Sequence, residues 1–423
     1  MTSTVLFKPG HRFIGEPGAI LNGSRLLTGW TQSGSFWVVS GQTQQNYFSG
    51  ARCAGSTTRC KVGDDVFFDD KPLQAVTDIS QLGSGKFFFD YPNDKIYIAD
   101  NPSGHKVEGI VANHAFSGCA GGAVCTGTLI SGLIVEKFAD VAIELGDGTV
   151  ENNEVRLNHT VGIAIARDGV IRNNYVHDNG LEGVSSTGNS PRRNLLVEGN
   201  ELARNGWYAG FDMGWEGGGG KWLFVNGLTI RNNHVHDNNG RGLWTDTDNI
   251  NVVIENNRIE NNWAEGIEHE RSYDAIIRNN TIRGNGFGNG GIWMFGAGIY
   301  IASSANVEIY GNVVEDNYAG IGAVQRELYT GQYGVQEVKN LYVHDNTIRT
   351  AGKNGLIQVI YDTSYYTSKN NRFVHNTYEL SCNQPTPFAW KEPNGGTYYA
   401  YVTKNQWVGY GNDTTGTFSC RRT

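Results

Sequence analysis

The chain has 423 residues with 57 glycines, 9 prolines, 18% charged and 11% aromatic side chains and a net charge of -8. That balance excludes disorder and collagen-like repetition and fits a turn-rich all-β protein. No Lys/Arg-rich run is present, which excludes a phosphate-backbone partner, and no run of 18 apolar residues is present, so neither nucleic acid nor a membrane span is expected.

The N-terminus, Met1-Thr-Ser-Thr-Val, has no charged and then apolar leader, and reads as the start left after a removed signal peptide. Residues 1–125 are strand-rich without an evident repeat. Within them Lys86-Phe-Phe-Phe-Asp90 and Lys95-Ile-Tyr-Ile-Ala99 flank the turn Tyr91-Pro-Asn-Asp94, which predicts a β-hairpin. This region is expected to cap or flank the repetitive part of the chain. The six cysteines fall as three local pairs, Cys53 with Cys60, Cys119 with Cys125 and Cys382 with Cys420. Lacking zinc-type spacing, they read as disulfides closing loops and a C-terminal cap in an oxidising, extracellular compartment, with buried free thiols as the alternative.

From residue 150 the pattern aliphatic-x-x-Asn-x-aliphatic-x-x-Asn recurs at 150–158, 171–179, 197–205, 230–238, 254–262, 277–285 and 309–317, with weaker copies at 343–346 and 373–376. The first Asn returns at 153, 174, 200, 233, 257, 280, 312, 346 and 376, with shortest steps of 21 to 24 residues. That period suits three short strands and three turns per coil, and hence a parallel β-helix. Asn tolerates left-handed backbone angles, and its amide can bond the equivalent amide one coil on, so stacked ladders are expected. Ile230, Val235, Leu243 and Ile254 are predicted to face inward. The expected layout is an N-terminal capping region over 1–125, coils over 126–376 and a C-terminal cap over 377–423.

These Asn-aliphatic coils, over about 130–376, resemble the pectate-lyase-like superfamily of right-handed parallel β-helix proteins. Gly15-Glu-Pro-Gly-Ala-Ile-Leu-Asn-Gly23 with Leu27-Thr-Gly-Trp30 is similar to the leading segment of secreted bacterial members, and the 86–99 hairpin to one that precedes the helix in several β-helix glycosidases. The resemblance implies fold and lineage. The superfamily includes hydrolases, lyases, epimerases, esterases and phage depolymerases, so chemistry must come from a site. The Asn-Thr-Asp, Asp-Asp, Gly-His-Gly and Arg-Ile-Lys motifs of pectin hydrolases are absent, which argues against pectin hydrolysis.

Aligning the strand after each Gly-aliphatic pair predicts which side chains share an outer face. One column reads Ala164, Ser185, Asp212, Trp244, Glu268, Tyr300 and Gly322; the next reads Ala166, Thr187, Gly214, Asp246, Glu270, Ala302 and Gln325 or its neighbour. Asp212, Asp246, Glu268 and Glu270 thus converge on three coils. Coils are ~4.8 Å apart and alternate residues ~6.6 Å apart, so Asp246 and Glu270 suit a retaining glycosidase and Asp246 and Glu268 an inverting one. Since most β-helix hydrolases resemble the inverting mode, inversion is the expectation, with Glu270 or Asp246 as acid and Glu268 as base.

Two insertions converge on this face. In Trp215-Glu216-Gly-Gly-Gly-Gly-Lys221-Trp222 the glycines read as backbone approaching a ligand or as a flexible lid, and 286–295 carries Trp293. Trp215, Glu216, Lys221, Trp244, Arg271 and Tyr300 are the predicted substrate-binding residues on a poly- or oligosaccharide, with Trp215 and Trp244 stacking on sugar. Trp207, Trp222 and Trp263 are expected to include structural residues. His269 is expected to face the core. No cofactor is required, although Ca²⁺ is possible: a uronate lyase would hold it on Asp212, Asp246, Glu268 and Glu270. A non-catalytic glycan-binding module is the third reading.

Overall fold

The computed structural model describes residues 4–48, 50–56, 58–119, 126–186, 192–291, 294–390 and 400–422. Three long sheets of 13, 11 and 12 strands form the walls of a solenoid, and successive coils visit them in turn. One coil runs Val161–Ile165 in the first sheet, Arg167–Arg172 in the second and Tyr175–His177 in the third, and Glu182–Ser185 then returns to the first. Pairing between coils is parallel and in register, with Ile163 opposite Val184 and Val176 opposite Leu202.

The Asn repeat divides its labour between neighbours. Asn233 donates through its side-chain amide to Asn257 Oδ1 at 2.9 Å, and Asn257 donates in the same way to Asn280 at 3.0 Å. Left-handed angles, however, belong to the preceding residue: Asn232, Asn256 and Asn279 have φ of 57°, 56° and 55°. The ladder residue therefore supplies hydrogen bonds and its predecessor supplies the bend. A second ladder links Asn158, Asn179, Asn205, Asn238, Asn262, Asn285 and Asn317.

Ile230, Val235, Leu243 and Ile254 are fully buried, as the alternation requires, within one continuous apolar core. In the column of Val184, Leu243 and Ile267 the place between the first two is taken by Gly220. The Trp222 ring fills that gap, lying 2.5 Å from where a Gly220 Cβ would stand. His269 also points inward, its Nδ1 2.8 Å from Thr245 Oγ1. Burial pushes its pKa down to about 3, so the imidazole is neutral.

The solenoid is longer than the predicted 126–376 span. Val5–Phe7, Arg12–Ile14 and Ile20–Asn22 pair in parallel with Phe116–Cys119, Leu129–Ser131 and Ile134–Glu136, and so form its first coil. At the far end Thr417–Arg421 joins the third sheet. Between the first two coils the chain makes an excursion that contains the hairpin Lys86–Asp90 with Lys95–Ile98, paired as expected. It returns where it left: Val111 N and Ala112 N both donate to Gly23 O, at 2.9 and 3.0 Å. Disulfides join Cys53 to Cys60 and Cys382 to Cys420. The predicted Cys119–Cys125 pair lies outside the described residues, as do Thr187 and Trp293.

Candidate active site

The outer face of the first sheet carries the cluster. Arg241–Asp246 and Ile267–Glu270 are adjacent strands in which Trp244 lies opposite Glu268 and Asp246 opposite Glu270. The next strand, Ala297–Ala302, puts Tyr300 and Ala302 in the same two columns. Val324, the neighbour of Gln325, continues the second column.

The preceding coil departs from expectation. Its strand is Gly218–Leu223, which sets Lys221 opposite Trp244 and Leu223 opposite Asp246. Asp212 sits upstream in a turn, 3.3 Å from Arg52, and is not part of the carboxylate cluster. Two Gly-led segments compete for one strand place here. The N-terminal region decides between them by holding the first away from the sheet, through a bridge between Cys53 and Phe211 and a 2.8 Å bond from Ala54 N to Gly210 O. The glycine run is accordingly strand and not a lid: a Cβ at Gly218 would lie 2.0 Å from Arg241 O and one at Gly219 2.4 Å from Gly242 O. Glycine lets this strand meet the next coil.

A cavity of about 240 Å³ opens over the cluster, lined by Asp246, Glu270, Trp215, Trp244, Phe295 and Asn289 together with Arg241, Arg271 and Arg326. Asp246 is buried with Lys221 Nζ at 3.2 Å and Arg271 at 3.0 Å. Burial alone would raise its pKa, but Lys221, the Thr247 hydroxyl and Arg271 outweigh it and hold the carboxyl below its usual range. Glu270 accepts from Arg326 at 3.1 Å. Lys221 also donates to Trp215 O at 2.7 Å and lies over the Trp244 ring at 3.6 Å.

Glu268 lies deeper. It is 0% exposed and accepts from Arg241, which also faces Glu265 at 3.3 Å. Burial, reinforced by the charges of Glu265 and Glu270, pushes its pKa up to about 8 against the pull of Arg241. One cation thus serves two buried acids, and Glu268 holds a proton more tightly than a free carboxyl does. Tyr300, also 0% exposed, packs against Phe295 and does not line the cavity. Trp215 is half exposed at the rim, and Trp244 is buried on the cavity wall.

Glu216 faces a neighbouring groove of about 740 Å³, which it lines with Lys221, Ser185 and Glu182. Burial raises the pKa of Glu216, as does the charge of Asp246, while Lys221 opposes both. Burial followed by the charge of Glu216 pushes Glu182 up to about 8. Trp222 is a core residue, Trp207 lines a separate cleft beside the N-terminal region, and Trp263 lies at the surface.

Sequence reasoning passed over Glu182, Arg241 and Glu265. Each directly precedes a strand glycine and together they form a third outer column, which the same alignment could have yielded. Arg326 follows the strand Ala319–Gln325 and needed the fold to bring it to Glu270. The calcium cage does not assemble. Asp212 is elsewhere, and Asp246, Glu268 and Glu270 already engage Lys221, Arg271, Arg241 and Arg326, so a hard cation would meet bound ammonium and guanidinium groups in place of free oxygens.

A family model for the right-handed β-helix region matches residues 93–219, 139–298 and 208–332, together more than half of the chain. No curated protein matches. Among solved structures, XylC in complex with xylose is 12% identical over 88% of this chain and 67% of its own, with a TM-score of 0.53. The A-module of the Azotobacter vinelandii mannuronan C-5 epimerase AlgE6 is 14% identical over 67% of this chain and 76% of its own, with a TM-score of 0.38. A glycoside hydrolase is 10% identical over 80% of each chain, also with a TM-score of 0.38.

Proposed function

Because the chain belongs to the right-handed β-helix family, whose stacked coils present outer columns of side chains, we propose that it is an extracellular glycoside hydrolase acting at Asp246 and Glu270. The observation that carries this reading is the pair itself: two carboxyl groups opposite each other on adjacent strands, both lining an aromatic-walled cavity. Strand spacing puts them ~4.8 Å apart, in the range of retaining enzymes. The inverting assignment needs Glu268 to activate a water from the cavity, but that carboxyl is buried and bonded to Arg241. Retention is therefore the better reading.

Asp246, kept ionised by Lys221 and Arg271, is suited to attack the anomeric carbon. Glu270 protonates the departing glycosidic oxygen as that bond breaks, and then takes a proton from the water that releases the sugar from Asp246. Trp215 at the rim offers an apolar face to the sugar's C–H groups, while Trp244, with Lys221 and Arg241 over its ring, shapes the cavity wall. The cavity has room for a single ring, and the groove beside Lys221 and Glu216 for the next. The test is a panel of aryl glycosides and oligosaccharides, with product anomers followed by NMR and the wild type compared with Asp246→Asn and Glu270→Gln. Turnover with retained configuration, falling at least ~10³-fold in Asp246→Asn, is expected. Inverted product would return the base to another carboxyl, and glycan binding without turnover, unchanged in both variants, would make this a binding module.

A further inference from the structure

Three pentapeptides share a pattern: Tyr175-Val-His-Asp-Asn179, His234-Val-His-Asp-Asn238 and Tyr342-Val-His-Asp-Asn346. In each the His Nδ1 meets the following Asp, at 2.5 Å for His177 and 2.7 Å for both His236 and His344. In each the Nε2 meets a Glu of the preceding coil: Glu154 at 3.1 Å, Glu201 at 3.2 Å and Glu308 at 3.2 Å. The residue two before the His stacks on its ring, Tyr175 at 3.8 Å, His234 at 4.1 Å and Tyr342 at 4.0 Å. Only the middle copy replaces this Tyr by His.

That replacement changes the chemistry of the place. A phenol is a poor ligand at neutral pH, so the Tyr copies offer one imidazole and one carboxylate. The middle copy offers two imidazoles and a carboxylate, and the donor atoms of Glu201, His234 and His236 all lie within 4.8 Å of one another. Asp237 on His236 Nδ1 favours the tautomer whose Nε2 lone pair faces Glu201, the usual support behind a metal-bound histidine. From the next coil Glu260 approaches His234 Nε2 at 3.3 Å while also pairing with Arg258 at 2.7 Å, but it is not among the three converging donors, so the fourth place falls to water.

We propose that Glu201, His234 and His236 form a site for a divalent transition ion of the zinc type, which clasps neighbouring coils. Nitrogen-rich, low-coordination donor sets suit zinc and not calcium. The site is on the third sheet and the carboxylate pair on the first, so the inference stands apart from the proposed hydrolase activity.

The test is calorimetric titration of zinc chloride into the EDTA-stripped full chain, paralleled by thermal unfolding with zinc or calcium. One zinc per chain, micromolar or tighter, with a rise of several degrees in Tm and no response to calcium, is the expected result. His234→Tyr introduces the residue that two other copies carry and should fold; it is expected to weaken zinc at least 100-fold while leaving the zinc-free Tm within about two degrees. Glu201→Gln should weaken zinc at least 10-fold. No zinc uptake by the wild type, or equal uptake by wild type and both variants, would overturn the site.

Discussion

Asp246 keeps its charge in a nearly dry setting because Lys221 and Arg271 each place a cation against it. Removing one of them should therefore raise its pKa. Lys221→Met is expected to shift the acid limb of the kcat/KM profile to higher pH, and an unmoved limb would detach Asp246 from that titration. Glu268 carries the opposite perturbation. A carboxyl raised from 4.5 to about 8 on folding adds stability that is complete below 4.5 and is lost as pH rises through about 8. Glu268→Gln retains the shape while Glu265 still faces Arg241, so urea unfolding should show less stability lost between pH 5 and pH 8 than in the wild type, a difference of at most roughly 1.4 kcal/mol per pH unit. Equal losses would assign the proton elsewhere, for example to Glu182, which both proteins retain. Asp246, Glu268 and Glu270 were legible in the sequence because period-2 alternation after a strand glycine is local information. The burial of Glu268 and its pairing with Arg241 were not, because no periodic signal tells which outward side chains become covered.

At the scale of strands and ladders, one residue's surroundings decide what its loss costs. Asn257 accepts from Asn233 N and Nδ2 and donates to Ile230 O and Asn280 Oδ1, all in the buried interior. Asn257→Ala leaves several of these groups unpaired and should cost about 2 to 4 kcal/mol by chemical denaturation. Asn251 belongs to a solvent-exposed Asn contact, donating to Asn226 at 2.9 Å, and has φ of 57°. Asn251→Gly keeps that backbone accessible and should cost below about 1 kcal/mol. Similar losses at both positions would mean that the ladder owes its worth to turn geometry and not to buried hydrogen bonding. The ladders were readable because their spacing repeats. The strand Gly218–Leu223 was not, since Gly210-Phe211 satisfies the glycine-then-apolar rule while Gly219, which stands in register with Gly183 and Gly242, is followed by another glycine.

Taken whole, the molecule is a stack whose ends need closing, because a terminal coil has one neighbour in place of two. The C-terminal end is closed by Trp407, stacked on Phe388 at 4.5 Å, and by the Cys382–Cys420 disulfide, which ties Thr417–Arg421 to the coil beneath. Replacing both cysteines by serine removes a loop constraint worth up to about 4 kcal/mol for a 38-residue separation, and amide exchange should rise first in 377–421. Uniform exchange along the chain would argue that the stack unfolds as one unit. The sequence disclosed the parallel helix but not its first coil, since residues 5–22 carry no Asn repeat and join the sheets only through partners more than 100 residues away. That arrangement makes residues 24–110 an inserted module with a single doorway, its two edges joined at Gly23 by bonds from Val111 and Ala112. Beyond the doorway the module is bonded to the coils it overlies, through Asp65 on buried His159 and through Asp70 and Glu108 on buried Lys137. It also props, at residues 52–54, the segment that leads to Trp215, so exchanging the module would reshape the mouth of the site.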